Sequence, residues 1–230
     1  MNLPFHCVAA LCLCAIACGQ EPVTNISTNV VLRSLGDGVF QFGGVRLNKR
    51  ERSVSFDAVA NIVSDLAVEY ALVHKIGKTH ETMFRTDVRA QEIHVAMLLL
   101  GAKPAMTNMF SSDLSVAPPG DPVTIEVSWK ARGKPIRHAL EDLVVNRETG
   151  KPLSKGAWIY NGSNFSEGMF TAQRDGSIIS IHIDPDALIN NPRPGRENDD
   201  LHIPNTSLLP PTGAMVEFTI RLNSAPEKSP

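Results

Sequence analysis

The chain has 230 residues, with 22 Lys and Arg against 24 Asp and Glu, for a net charge of -2. That balance gives no electrostatic case for nucleic acid or an anionic membrane as the partner. All 4 cysteines (Cys7, Cys12, Cys14 and Cys18) lie at the N-terminus, so the body of the chain lacks thiols for disulfides, Cys-ligated zinc, iron–sulfur clusters or thiol catalysis.

The leader, MNLPFHCVAALCLCAIAC, has no Lys, Arg, Asp or Glu. Its uncharged run from Cys7 to Cys18 is shorter than the about 20 residues that span a bilayer, and residues 1–18 read as a secretory signal. Ala15-Ile16-Ala17-Cys18-Gly19 resembles a lipoprotein box, with Cys18 as the lipidation position and Ala15 where Leu is usual. The alternative is simple cleavage near Ala17. Either way, the expected location is the cell envelope or periplasm.

Residues 19–37 read as a flexible linker. Val39–Phe42, a Gly43-Gly44 break and Val45–Leu47 form strand material, followed by the charged turn Asn48–Arg52. Ser53–Ile62 reads as a strand with Val54, Phe56, Ala58 and Ala60 on one face. Leu66–His74 is another. Lys75-Ile76-Gly77-Lys78 is expected to turn it back, with Gly77 available for a positive φ, and Thr79–Arg85 to pair with it as a hairpin. Asp87 is a candidate N-cap for a helix over Val88–Leu100, closed by Gly101 and Pro104. That helix is apolar nearly all round, which predicts burial on more than one side.

Ser111–Pro122 is rich in Ser, Pro and Gly and is the best candidate boundary. After it, Val123–Trp129, Ile136–Asn146, Ala157–Asn161, Met169–Gln173, Ser177–Asp184 and Met215–Leu222 have strand character at sandwich-like spacing. Pro185–Ile189 could form one helical turn. Asn190–Thr206 reads as a long polar loop, and residues 223–230 as a disordered tail. The expected fold is α+β, mostly β. A strand-hairpin-plus-buried-helix lobe (38–110) is followed by an antiparallel β-sandwich-like lobe (111–222), the two possibly packing as one domain.

Gly77-Lys78-Thr79-His80-Glu81, with Ile93 to Pro104 (IHVAMLLLGAKP), resembles the YdjY-domain family of bacterial exported proteins. Further matching pieces are Trp158–Ser163 (WIYNGS), Ile183–Leu188 (IDPDAL) and Leu209-Pro210-Pro211. The resemblance covers roughly residues 38 to 222. It implies an exported protein and carries no catalytic residues to transfer. Some relatives have additional iron–sulfur motifs, for which this chain lacks the cysteines.

Several residues invite chemistry. His80-Glu81 begins like a zinc-protease motif, but position 84 is Phe where a second His is needed. Lys78, His80, Glu81 and His94 form a candidate polar cluster, with His74, Asp87 and Glu92 as the available further ligands. The bland alternative is that these side chains fasten a turn to the helix. Trp158, Tyr160 and Phe165 form a candidate aromatic surface, or core. Asp184, Asp186, Asp199 and Asp200 lack EF-hand spacing. There is no GxSxG, P-loop or GxGxxG. The leading expectation is a non-catalytic envelope binding or accessory module, with no catalytic residue, metal or cofactor assigned. Its partner would be an unknown envelope protein or small ligand, with no nucleic acid. The alternatives are a metal-binding protein or enzyme built on that cluster, and a structural envelope protein.

Overall fold

The computed structural model describes residues 31–105 and 110–223, so the leader with Cys18 and the tail beyond Asn223 lie outside the described residues. Four strands open the chain: β1 (Leu32–Gly36), β2 (Val39–Phe42), β3 (Val45–Asn48) and β4 (Ser53–Ala60). Then come β5 (Tyr70–His74), β6 (Thr82–Thr86), helix α1 (Ala90–Leu99), β7 (Asp121–Ala131), β8 (Lys134–Ala139) and β9 (Val144–Asn146). The last part holds β10 (Trp158–Tyr160), β11 (Phe165–Ser166), β12 (Met169–Phe170), α2 (Thr171–Asp175), β13 (Ser177–Ser180), β14 (Ile189–Asn190), β15 (His202–Pro204) and β16 (Met215–Leu222). No helix among the described residues is long and apolar enough to cross a membrane.

Period-2 alternation builds the long strands. In β4, Val54, Phe56, Ala58 and Ala60 are buried while Ser55 and Asp57 face outward; in β16, Val216, Phe218, Ile220 and Leu222 are buried. Phe218 sits against both Phe56 and Phe84, with ring centroids 6.0 and 5.2 Å apart. These strands do not form a sandwich. The order β4-β16-β7-β10-β14-β13-β5-β6 returns to β4, because Val59 pairs with Arg85 and Ala60 with Phe84. The result is an eight-stranded, barrel-like ring. Strands from both sides of Ser111–Pro122 interleave in it, so that stretch is a connection within one sheet. Two wings leave the ring: β1-β2-β3 pairs with the first half of β4, and β8 with the second half of β7.

The expected hairpin after β5 is a parallel pair instead, with Tyr70 opposite Thr82 and His74 opposite Thr86. Parallel neighbours usually need a crossover of a dozen residues or more. Here residues 75–81 suffice, because seven residues extend about 23 Å and a five-residue strand only about 16 Å. All of β5 is buried, as expected of parallel strands covered on both faces. Leu66 is exposed and outside the strand.

Helix α1 is shorter and more one-sided than its sequence predicts. Arg89, not Asp87, is the N-cap, its side chain makes no capping hydrogen bond, and the Gln91 N–H donates instead to Gln173 Oε1 (3.3 Å). Ala90, Ile93, Ala96 and Met97 are buried, but Leu98 and Leu99 are 42 % and 45 % exposed. Its C-terminus behaves as expected. Gly101 has φ +84, its N–H donates to Leu98 O (2.9 Å), and the Ala102 N–H donates to Met97 O (3.1 Å), a Schellman closure. Within Met169–Gln173, the expected strand is a two-residue strand followed by α2.

Residues 190–206 are not a solvated loop. Asn190, Asn191, Arg193, Arg196 and His202 are all buried. Arg193 donates to Ser154 O (2.6 Å) and Gly156 O (2.7 Å), with its guanidinium 5.1 Å from the Trp158 ring centroid. Arg196 donates to Val116 O (2.9 Å) and Pro192 O (3.1 Å). Guanidinium groups here satisfy carbonyls that regular structure leaves unpaired, as buried carbonyls require.

Burial pushes the His202 imidazole down to about 4, with Glu197 opposing and His182 reinforcing the shift. An unfolded His takes its proton near pH 6.5, so below that pH protons favour the unfolded chain. This contribution is therefore present above pH 6.5 and lost as pH falls toward 4. Urea unfolding at pH 8 and pH 5 should differ by about 2 kcal/mol from this residue alone. His202→Gln should flatten that slope; an unchanged slope would locate the acid sensitivity elsewhere.

Candidate functional site

The segment after β5 makes a charged corner. Gly77 does not use a positive φ. Its need is proximity: a Cβ there would lie 2.9 Å from Asp175 O and 3.2 Å from the Gly176 Cα. Gly176 ends α2 at φ +73 and presses back against Gly77. This contact lets the turn Thr79–Glu81 carry its side chains over the end of β5.

Lys78 Nζ lies 3.2 Å from Glu81 Oε1 and 3.7 Å from Glu69 Oε2, and it donates to the Tyr70 hydroxyl at 3.2 Å. The Tyr70 hydroxyl in turn donates to Asp184 Oδ2 at 2.9 Å. His80 is exposed, its Nε2 3.7 Å from Glu81 Oε2. Burial, then Asp184, raises the Tyr70 phenol pKa. Burial pulls the Lys78 ammonium down, but Tyr70 and Glu81 outweigh it, and the net shift is upward. Both groups keep their protons at neutral pH. The corner thus offers charge and hydrogen bonds; neither Lys78 nor Tyr70 can act as a neutral-pH base or nucleophile.

His94 does not share these partners. Its Nδ1 is 2.8 Å from the Tyr160 hydroxyl, and its ring packs on Phe170 with centroids 4.9 Å apart. Burial lowers its pKa, so it is neutral at pH 7. The candidate cluster therefore splits into Lys78, His80 and Glu81 in one place and His94 in another. The further candidate ligands are engaged elsewhere. His74 Nδ1 accepts from the Ile76 N–H (3.4 Å), Asp87 meets Lys75 (3.4 Å), and Glu92 holds Arg89 (2.8 Å) and the Gly44 N–H (2.8 Å). Among the described residues, no three His, Cys, Asp or Glu side chains converge so as to hold a metal ion.

The expected aromatic surface reduces to Phe165. Trp158 and Tyr160 are fully buried, since they share the inward face of β10. Phe165 is 73 % exposed, on the hairpin β11–β12. Glu167 and Gly168 make its turn, both with positive φ (52 and 77), as a two-residue I′ turn demands.

Sequence reading did not find the buried network between these places. Asn190 Nδ2 donates to Asn161 Oδ1 (2.9 Å) and Asp184 O (2.8 Å), while its Oδ1 accepts the Asp184 N–H (2.9 Å). Asn161 Nδ2 donates to Ala187 O (3.0 Å), and Ser163 Oγ donates to Asp186 O (2.6 Å). The pieces WIYNGS and IDPDAL are thus sewn together, and Asp184 links them to Tyr70 and Lys78. The available signal was Asn161 within WIYNGS and Asn190 just after IDPDAL, but nothing local said that they meet.

The other open feature is the outward face of the sheet. Arg33, Gln41, Arg46, Ser55, Thr219, Glu126 and Ala139 pair one to the next across β1, β2, β3, β4, β16, β7 and β8. At the usual strand spacing this row is roughly 29 Å wide. Hydroxyls of Ser55, Thr219 and Ser128 alternate with the ion pairs Arg46–Glu217 (3.5 Å), Arg137–Glu126 (3.3 Å) and Arg221–Glu51 (3.4 Å). A cavity of about 280 Å³ near Arg46, Arg137 and Glu217 joins one of about 330 Å³ beside Trp129 and Met215. Met215 and Asp57 connect this to a third, of about 340 Å³, reaching Asp87 and Val88.

Asn190→Ala should cost about 3 kcal/mol in chemical unfolding, because it strands several buried polar groups. Lys78→Met, at an exposed ion pair, should cost under about 1 kcal/mol; the reverse ranking would make the charged corner the structural centre. Gly77→Ala should lower stability by about 2 kcal/mol through overpacking against Asp175 and Gly176, and a neutral result would refute the close backbone contact.

Compared with curated proteins and with solved structures, the chain has no match. The family model for the YdjY domain matches residues 45–221. That span runs from β3 to β16 and includes the corner, the asparagine network and most of the outward face, and the chain belongs to the YdjY domain family.

Proposed function

We propose that this protein is an exported cell-envelope binding or accessory module, without catalysis of its own, that meets its partner with the outward face of β4, β16 and β7. The leader supports export, with a lipid at Cys18 as the anchor or with simple cleavage. The observation that carries the binding reading is a contrast between two polar regions. Lys78 is already engaged by Glu69, Glu81 and the Tyr70 hydroxyl, and Lys78 and Tyr70 both keep their protons at neutral pH. The outward face instead carries two cavities among hydroxyls and ion pairs and a third, more apolar one that shares Asp57 and Met215 with its neighbour, and ligands are held in such concavities.

Thr219 is central to that face and points away from the core. Purified protein should retain a partner or ligand from a cell-envelope extract, and Thr219→Arg, which fills the groove, should reduce retention at least about ten-fold, the equivalent of 1.4 kcal/mol. Retention indifferent to that substitution, or a substrate turnover abolished by Lys78→Met, would refute the proposal.

A further inference from the structure

We infer that the β16 side of the barrel docks on an anionic lipid bilayer, an inference that rests on reading this face as the binding surface. The chain-wide charge of -2 conceals a strong separation. The β1–β3 wing and its turn into β4 carry Arg33, Lys49, Arg50 and Arg52, none in an ion pair among the described residues. The turn between β7 and β8 carries Lys130, Arg132 and Lys134, equally without ion pairs. The two clusters flank the groove diagonally, since β3 borders one half of β4 and β8 the other half of β7. Elsewhere Lys75, Lys78, Arg89, Lys155 and Arg174 are matched to carboxylates and Arg193 and Arg196 to buried carbonyls, while Arg85, Lys103, Arg147 and Lys151 are in no ion pair among the described residues and are scattered over the chain.

Of the carboxylates without an ion pair among the described residues, Asp37 and Asp57 lie on the wing and the groove, and several others lie in the far loops. Asp184, Asp186, Glu197, Asp199 and Asp200 lie in the segments next to β13 and β14. In the ring, β13 is the fourth neighbour of β16 in either direction, hence diametrically opposite. A body charged this way turns its β16 side toward a negative surface, and salt weakens the effect.

Lipid is favoured over a soluble anionic polymer by the apolar side chains on the same wing. Val31, Leu32 and Leu35 are exposed and no residue of β1 is buried; Leu32, paired with Phe42 and through it with buried Val45, lies on the face opposite Arg33, so Val31 and Leu35 are the apolar side chains on the docking side. Met215, on the groove floor, is also exposed. Headgroups satisfy the cations while these side chains enter the interface, and a polymer in water offers them nothing. Placement agrees: the first 30 residues join the barrel at β1. A lipid at Cys18 would be 13 residues from Val31, a reach of at most about 45 Å.

The test is co-sedimentation of the full chain with vesicles of equal parts phosphatidylglycerol and phosphatidylcholine, against pure phosphatidylcholine, at about 0.1 M ionic strength. Wild type should prefer the anionic vesicles at least roughly ten-fold. Lys49→Glu/Arg50→Glu should abolish the preference while leaving binding to the neutral vesicles, where the leader alone acts. Leu35→Ser should reduce partition onto anionic vesicles several-fold. These positions are exposed, and circular dichroism checks that the fold persists. Equal partition to both vesicle types, or a preference that survives charge reversal, overturns the inference. So does dimerisation lost in the leucine variant without vesicle preference, which would assign β1 to a second copy of the chain. If vesicle preference is absent but a partner sensitive to Thr219→Arg is retained, the bilayer assignment fails and the binding-face reading stands.

Discussion

Closure of the ring is the constraint on which the rest depends. Val59 with Arg85 and Ala60 with Phe84 join β4 to β6, and β6 reaches that position only because it runs parallel to β5. The short crossover between them must pass over the end of α2, and two glycines back to back, Gly77 and Gly176, leave just enough room. The corner with Lys78 and Glu81 follows from that geometry. Its residues sit together because the crossover is tight: the turn brings Lys78 and Glu81 to Glu69 at the start of β5, two carboxylates to one ammonium.

Short strands and long connections fill the far side of the ring. With few ladder bonds available, buried side chains take over the task of satisfying the backbone. Asn161 and Asn190 do this between β10, β14 and the 183–188 turn, and Arg193 and Arg196 do it for the loops around Trp158 and Val116. Such networks are sensitive to loss of any member. His94 is likewise engaged, bonded to Tyr160.

The barrel also sorts charge. Its β16 side has a polar outward face because β4, β16 and β7 are solvated on one side, and the two wings extend that face beyond the ring. Counted over the whole chain, acids and bases nearly cancel. Folding puts Arg33, Lys49, Arg50, Arg52, Lys130, Arg132 and Lys134 on the two wings, none in an ion pair among the described residues.

Several elements were legible from local pattern: the alternation of Ser53–Ala60, Asp121–Ala131 and Met215–Leu222, and the helix end at Gly101. Each depends on which face of a strand or helix is apolar, or on one residue's φ, and both are properties of neighbours in sequence. The YdjY resemblance was legible for the same reason, as short contiguous pieces. Tertiary structure alone decided that β5 and β6 are parallel, that the strands close into a ring instead of two sheets, and that residues 190–206 are buried. It also decided that His94 stands apart from Lys78, His80 and Glu81. Each of those outcomes depends on which distant carbonyl, carboxylate or strand edge a group meets, and periodicity along the chain contains no record of that partner.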